Sequence, residues 1–344
     1  MKIQKHIEIV RSTVSGLSSL SDASCQSVYS LLRRNYATVG ITIVNNQYDL
    51  WALVARRPDL VFLGMKYVPG LISGEKTWIS EFLDHHGILH TGSGKRAIEF
   101  ELNKSLAKQR VKAAGVPTAR SLVIEQGQEF RDEDITLRFP LFVKPVNLGG
   151  GAGIDADSHV HTMDELRTQV ALITQNLATD VLVEEYLPGR EFSVAVLKDL
   201  HSNRLKAMPI ELIAPRNDNG EAVLSQEIKT SNQEIVVAVT SPRLRSHIIT
   251  TAIDAFNALG ARDYGRIDIR LDKAGVANFL EANLIPSLIS GYGSFPKACV
   301  LNLDMDYQTM ILAIVNLAFD REVNSIAEAY EHIKDSLTPL ALPA

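Results

Sequence analysis

Residues 265–283 read GRIDIRLDKAGVANFLEAN, two alternating runs on either side of a turn at Lys273-Ala274-Gly275-Val276. Arg266, Asp268 and Arg270 alternate with Ile267, Ile269 and Leu271, and further on Glu281 and Asn283 alternate with Leu280 and Ala282. A period of two belongs to the β-strand, so each run presents one polar face. A hairpin turning there sets Asp268 opposite Glu281 and Arg266 opposite Asn283, with opposed Cβ atoms about 5 Å apart. Two carboxylates that close repel unless a cation lies between them, and carboxylate and amide oxygens are the ligands hard Mg²⁺ prefers. The stretch reads as a Mg²⁺ site with an arginine beside it, or as a solvated hairpin face.

The rest of the chain narrows the choice. At 344 residues it is long enough for two or three domains. A net charge of -5 argues against a nucleic-acid partner, and no block of Lys and Arg suggests a membrane surface, which leaves small molecules as the expected partners. Cys25 and Cys299 are too few for a disulfide framework and lack metal-ligand spacing, so both are expected as buried free thiols. With no signal-type N-terminus and no apolar run of about 18 residues, a cytoplasmic protein is expected.

Three parts and a tail are expected. Residues 1–102 alternate helix-like segments with apolar strands at Val39–Val44, Leu60–Leu63 and Ile88–His90, a small parallel α/β domain. A helix begins near Ile98. Residues 103–187 hold a helix over Lys104–Ala114, stopped by Gly115 and Pro117, then strands at Ser121–Ile124, Leu141–Lys144 and Val181–Glu185. Residues 188–330 are mostly strands, with helices at 242–259 and near 305–319, and 331–344 form a tail. The fold class is α/β followed by α+β.

Two further constellations carry chemistry. In FPLFVKPVNLGGGAGI (residues 139–154) a strand delivers Lys144 and then a loop of Gly149, Gly150, Gly151 and Gly153. Bare backbone there lets N–H groups approach phosphate oxygens, although a mobile turn has the same composition. In VLVEEYLPGREFSV (residues 181–194) a strand meets a Pro188-Gly189 break before a new strand starts at Glu191. This has the form of a hinge, where a planar base would lie against Leu187 and a carboxylate such as Glu191 would meet ribose hydroxyls; the alternative is a plain connector. GSGKR at residues 92–96 is not a P-loop, since Leu89 stands at its first glycine and Arg96 at its Ser/Thr. Asp84-His85-His86 with His90 is discounted as a metal site because adjacent helical residues diverge.

In order and spacing these segments resemble the ATP-grasp superfamily, and within it the D-alanine-D-alanine ligases. The resemblance runs through HTGSG (90–94), Lys104, AGVPTA (114–119), FVKP with the glycine loop, VLVEEYLPGREFSV, GRIDI, LEAN and SFP (294–296). It implies an ATP-grasp fold behind an N-terminal α/β domain, and a carboxylate-amine ligase that works through an acyl phosphate. Lys104, Lys144 and Lys229 match lysines on the ATP phosphates, and Gly150 and Gly151 match the loop closing over them. Glu184 and Leu187 match adenine contacts and Glu191 the ribose contact. Asp268, Glu281 and Asn283 match the ligands of two Mg²⁺ ions, for which Mn²⁺ can substitute. Arg266 matches the arginine at the oxyanion, and Asp22 falls near a glutamate that holds the first substrate's ammonium. Amino-acid substrates, a homodimer and a lid over Ala214–Asn232 are implied as well.

The departures gather around the amino acids. Thr230 stands at a family tyrosine, and an active-site histidine has no counterpart in FLGMKYVPGLISGE (residues 62–75). NLIPSLISGYGSFP (residues 283–296) puts Ser287 at a family glycine, in the run that holds the second substrate's carboxylate, and that run is one residue longer. Asp22 is one methylene shorter than glutamate. Since the ATP and metal set is intact, a ligase whose substrates differ from two D-alanines is a second expectation, and a non-catalytic ATP-binding protein a third.

Overall fold

The computed structural model describes residues 1–70, 72, 74–149, 151–215 and 234–321. Contacts divide them into two units: Met1–Gly92 with Lys198–Arg204 and the helix Tyr307–Arg321, and Ser93–Leu197 with Leu205–Asp306.

The first unit is built on β1 (Ile3–Arg11), β2 (Tyr36–Ile43), β3 (Leu60–Leu63) and, beyond the short ribbon of β4 (Tyr67–Pro69) and β5 (Lys76–Trp78), β6 (Leu89–His90). These four make a parallel sheet in the order β2-β1-β3-β6. Parallel strands need crossovers, supplied by α1 (Asp22–Asn35), α2 (Gln47–Ala55) and α3 (Ile79–His85). Asn46 caps α2 by accepting from the N–H groups of Tyr48 and Asp49. The central strand β1 is absent from the sequence reading because Glu8 breaks its apolar run. Glu8 is buried here, accepting from Thr42 Oγ1 at 2.6 Å and lying 2.9 Å from His6 Nε2. The helix expected near 305–319 is Tyr307–Arg321 and joins this unit, not the C-terminal lobe: Phe319 meets Tyr36, with ring centroids 6.3 Å apart.

The second unit starts with α4 (Lys95–Leu102) and α5 (Lys104–Ala113), separated by Asn103, whose side chain caps α5 through Leu106 N–H. An antiparallel sheet follows, ordered β7 (Ser121–Ile124), β10 (Val181–Glu185), β8 (Leu141–Pro145) and β9 (His159–Val160). The helix α6 (Met163–Leu177) covers it, burying Leu166, Val170 and Ile173 against Leu141, Val143, Val181 and Val183. A five-stranded sheet comes next: β13 (Ile235–Ala238), β12 (Leu205–Ile213), β11 (Glu191–Lys198), β14 (Tyr264–Leu271) and β15 (Ala277–Asn283), in that order. Its apolar face carries Phe192, Val194, Ile267, Ile269 and Phe279 under α7 (Pro242–Ala258). Its other face carries the charges. Among the described residues no single helix is long and apolar enough to cross a membrane.

Candidate active site

The hairpin forms with the expected opposition. Arg266 pairs with Asn283, Ile267 with Ala282 and Asp268 with Glu281. The register then slips, for Ile269 pairs with Phe279, so Leu280 is an unpaired bulge. Strict alternation along 277–283 would put Phe279 and Glu281 on one face. The bulge separates them: Phe279 enters the core and Glu281 turns toward the charged face.

Strand β11 runs antiparallel beside β14, setting Ser193 opposite Asp268 and Glu191 opposite Arg270. Asp268 is buried and its carboxylate accepts three hydrogen bonds: Arg266 donates from Nε to Oδ1 at 3.0 Å and from Nη2 to Oδ2 at 2.8 Å, and Ser193 Oγ donates to Oδ1 at 2.8 Å. Burial works against the Arg266 charge, but Asp268, with Glu281 and Glu101 behind it, outweighs that and raises its pKa. Asn283 Nδ2 donates to Ile285 O at 3.0 Å and to Glu101 Oε1 at 3.1 Å, an orientation assigned from those partners.

Above this face lies a cluster of buried lysines and one acid. Lys144, on β8, sits 2.7 Å from Glu184 Oε2, on β10. Lys108, from α5, pairs with Glu184 Oε1 and donates to Thr118 Oγ1 at 2.7 Å. Thr118 in turn donates to Phe279 O at 2.9 Å, tying AGVPTA to β15. Burial opposes the charge of Lys144, but Glu184, Glu281 and Glu191 together hold its pKa above the ordinary lysine value. For Lys108 burial wins despite Glu184, and Lys144 adds repulsion, so its pKa falls. Burial would raise Glu184; Lys108 and Lys144 overcome it and hold the carboxyl below its usual range. Lys104, at the start of α5, donates to Leu148 O and stands 3.9 Å from Glu281 Oε2.

One cleft between the two sheets is lined by Lys144, Glu184, Leu187, Glu191, Asp268 and Glu281 among others, an apolar pocket with a few convergent charged groups of the kind that binds small ligands. Gly151, in the glycine-rich loop, has φ 85°, the left-handed region that glycine enters without strain. The hinge closes against β14: Gly189 N donates to Leu271 O at 3.0 Å, and a Cβ on Gly189 would fall 2.5 Å from that oxygen.

Among the described residues no three His, Cys, Asp or Glu side chains gather as a metal cluster. The donors here are two carboxylates and an amide with lysines close by. That set suits a hard cation completed by phosphate oxygens and water, not a site made of protein alone.

Asp22, Ser287, Gly150 and Lys229 stand apart from this account. Asp22 is the first residue of α1 in the first unit, exposed, with Oδ1 2.9 Å from Arg11 Nη1. Ser287 is half-buried in the irregular stretch before α8 (Ser294–Leu303) and does not line the cleft. Gly150, Lys229, Thr230 and most of Ala214–Asn232 lie outside the described residues. Phe295 packs in the core edge-on to Tyr264, while Tyr292 sits under Lys297.

Lys108, Ser193 and Arg270 are functional candidates that the sequence reading passed over. Lys108 lies four residues after Lys104, on the same helix face, and that spacing was a usable signal. Ser193 and Arg270 acquire roles only through the register of β11 on β14, which no local pattern states.

A cleft of buried lysines facing opposed carboxylates, in a two-sheet unit preceded by a parallel α/β unit, defines an ATP-dependent ligase of the ATP-grasp fold. Residues 111–316 match the family model described as D-ala D-ala ligase C-terminus. A D-alanine-D-alanine ligase from Granulibacter bethesdensis is 30% identical over 292 residues, covering 83% of this chain and 89% of the relative. The crystal structure of a D-alanine-D-alanine ligase from Bacillus anthracis complexed with ATP aligns with TM-score 0.74 at 19% identity, over 94% of this chain and 100% of that one. The VanG D-Ala:D-Ser ligase from Enterococcus faecalis aligns with TM-score 0.68 at 18% identity, over 92% and 100%. The chain belongs to the D-alanine-D-alanine ligase family and forms a C–N bond at the expense of ATP.

Proposed function

We propose that the protein joins the carboxylate of one amino acid to the amine of a second, with Mg²⁺-ATP, through an acyl phosphate. The observation that carries this reading is the hairpin register, which puts Asp268 against Glu281 in the cleft lined by Lys144, Glu184 and Glu191, with Arg266 and Asn283 as the adjoining pair.

A carboxylate resists amines because its oxygen is a poor leaving group. Transfer of the γ-phosphoryl group of ATP to that oxygen gives an acyl phosphate and ADP. The second amine then adds to the carbonyl, loses a proton, and expels phosphate as the C–N bond is completed. Lys104 and Lys144 are disposed to hold phosphate oxygens, with Lys229 added by family resemblance. Glu184 and Leu187 face the base and Glu191 the ribose. Mg²⁺ held by Asp268, Glu281 and Asn283 would neutralise phosphate charge and favour in-line transfer. Arg266 is the group for the oxyanion, and loss of one such donor typically costs about 10²- to 10³-fold in rate. Residues 103–187 and the later strands of the second unit act as the two lobes around the nucleotide. Asp22 and the run 283–296 are assigned to the two amino acids, and Ser287 and the shortened acid support a pair other than two D-alanines. The fold neighbour from Enterococcus faecalis is a D-Ala:D-Ser ligase, so the fold accommodates more than one second substrate.

The test is amino-acid-dependent ADP release from Mg²⁺ and ATP, across D-alanine, other D- and L-amino acids, hydroxy acids and mixed pairs, with products identified by mass. Release with a product containing a new amide supports the reading. D-alanyl-D-alanine from D-alanine alone would assign the family reaction, and a different dipeptide the divergent one. ATP binding without release for any pair would contradict the ligase reading.

A further inference from the structure

Arg270 is unlike its neighbours on the charged face. It follows Arg266 and Asp268 at strand spacing, so all three point the same way, and it lines the same cleft as Lys144, Leu187 and Glu281. Its guanidinium reaches across to the hinge and holds it at three points. Nε donates to Gly189 O at 3.2 Å, Nη1 donates to Glu191 Oε2 at 3.1 Å, and Nη2 donates to Tyr186 Oη at 2.9 Å. The same guanidinium lies 5.0 Å from the centre of the Tyr186 ring, whose other neighbour is His159, stacked at 3.8 Å and 29°. One rigid fork thus binds Tyr186 ahead of the Pro188-Gly189 break, the break itself, and Glu191 beyond it.

An anchor needed only to fasten the hinge would be satisfied by the Gly189 carbonyl. The bond to Glu191 does something further, because that carboxylate lines the cleft. A glutamate has several rotamers, and fixing one oxygen on a planar, permanently charged fork determines where the other oxygen points. The ordering of the side chain is then completed on folding instead of on binding, which favours affinity for whatever the carboxylate meets. Register makes the arrangement durable, since Glu191 and Arg270 are directly paired across β11 and β14.

We propose that Arg270 is the positioning residue that makes the cleft selective for a ribonucleotide, by aiming the Glu191 carboxylate at the sugar hydroxyls. The proposal rests on the reading above that Glu191 meets the ribose. It assigns Arg270 no contact with the reacting atoms. Its loss should therefore act on discrimination between sugars more than on turnover at saturating ATP.

The experiment compares kcat/KM for ATP, 2′-deoxy-ATP and 3′-deoxy-ATP in the wild type, Arg270→Met, Arg270→Lys and Glu191→Ala, in the full chain with the amino-acid pair that supports turnover. A hydroxyl hydrogen-bonded to a charged carboxylate is worth about ten- to hundredfold in this ratio. The wild type should disfavour at least one deoxy analogue by that factor, and Glu191→Ala should abolish the preference. Arg270→Met should abolish it too, raising KM for ATP while leaving kcat within about threefold, and Arg270→Lys, which keeps the charge but loses the fork, should fall between. Full preference in Arg270→Met, with none in Glu191→Ala, would overturn the role of Arg270 and leave the ribose reading standing. No preference in the wild type, or full preference in Glu191→Ala, would overturn the ribose reading and the proposal with it. Should Arg270→Met fail to fold, Arg270→Lys decides, and an undiminished preference in that variant overturns the proposal.

Discussion

Glu184 is held by two buried lysines, and the more deeply committed of them is Lys108, whose pKa burial lowers even with Glu184 beside it. Removing one partner of a buried ion pair so that its mate is left uncompensated typically costs about 3–5 kcal/mol. Lys108→Met leaves Glu184 its bond to Lys144, whereas Glu184→Gln leaves both lysines without their shared partner. Glu184→Gln should therefore lower the urea midpoint by an amount corresponding to about 3 kcal/mol, and Lys108→Met by less. A larger loss in Lys108→Met than in Glu184→Gln would mean that Lys108 acts through packing and not through the ion pair. The charges on strands were legible in the sequence through local patterns: alternation for Asp268 and Glu281, and an apolar strand running into a glycine-rich loop for Lys144. Lys108 and Ser193 were not, since each gains its role from a partner 76 and 75 positions away, at Glu184 and Asp268 respectively.

At the scale of elements, the hairpin was readable to the residue pair, whereas the bulge at Leu280 was not. Alternation alone assigns Phe279 and Glu281 to one face; the core's demand for Phe279 and the cleft's for Glu281 force the slip. In the same way the helix from Lys104 was visible from its stop signals, Gly115 and Pro117, but β1 was hidden by a buried glutamate held by His6 on the same strand and by Thr42 on β2. The hinge is the element whose fit is easiest to disturb. A Cβ at Gly189 would meet Leu271 O at 2.5 Å and Leu271 Cβ at 2.6 Å, and backbone cannot step aside as a flexible side chain can. Gly189→Ala should destabilise the protein by about 1–3 kcal/mol and raise KM for ATP, because it drives the hinge away from the strand that carries Arg270. Unchanged melting temperature and KM in that variant would contradict the close packing described here.

At the scale of the molecule, each unit carries one buried thiol. Burial pushes Cys25 up to about 11 and Cys299 up to about 12, against about 8.5 for an exposed cysteine. Both shifts are upward, so the folded chain keeps thiol protons that the unfolded chain sheds. The associated stability is complete below about pH 8.5 and is lost progressively as pH climbs toward the folded values. Melting temperature should fall between about pH 8.5 and about 10.5 with a steeper slope in the wild type than in Cys25→Ala/Cys299→Ala. Parallel slopes would show that other groups govern alkaline unfolding. The order of the motifs made the overall architecture legible, but the return of Tyr307–Arg321 to the first unit was not, because a helix's periodicity reveals its buried face and not its partner.

The central claim is that ATP activates a carboxylate in the cleft of the second unit before an amine attacks it. The most direct measurement supplies the first amino acid labelled with ¹⁸O in its carboxylate and follows the label by mass. Phosphoryl transfer to that oxygen, followed by loss of phosphate to the amine, moves one labelled atom into the inorganic phosphate. One ¹⁸O per phosphate formed, dependent on Asp268 and on the second amino acid, is the result this account predicts. Unlabelled phosphate released alongside the new amide would contradict it.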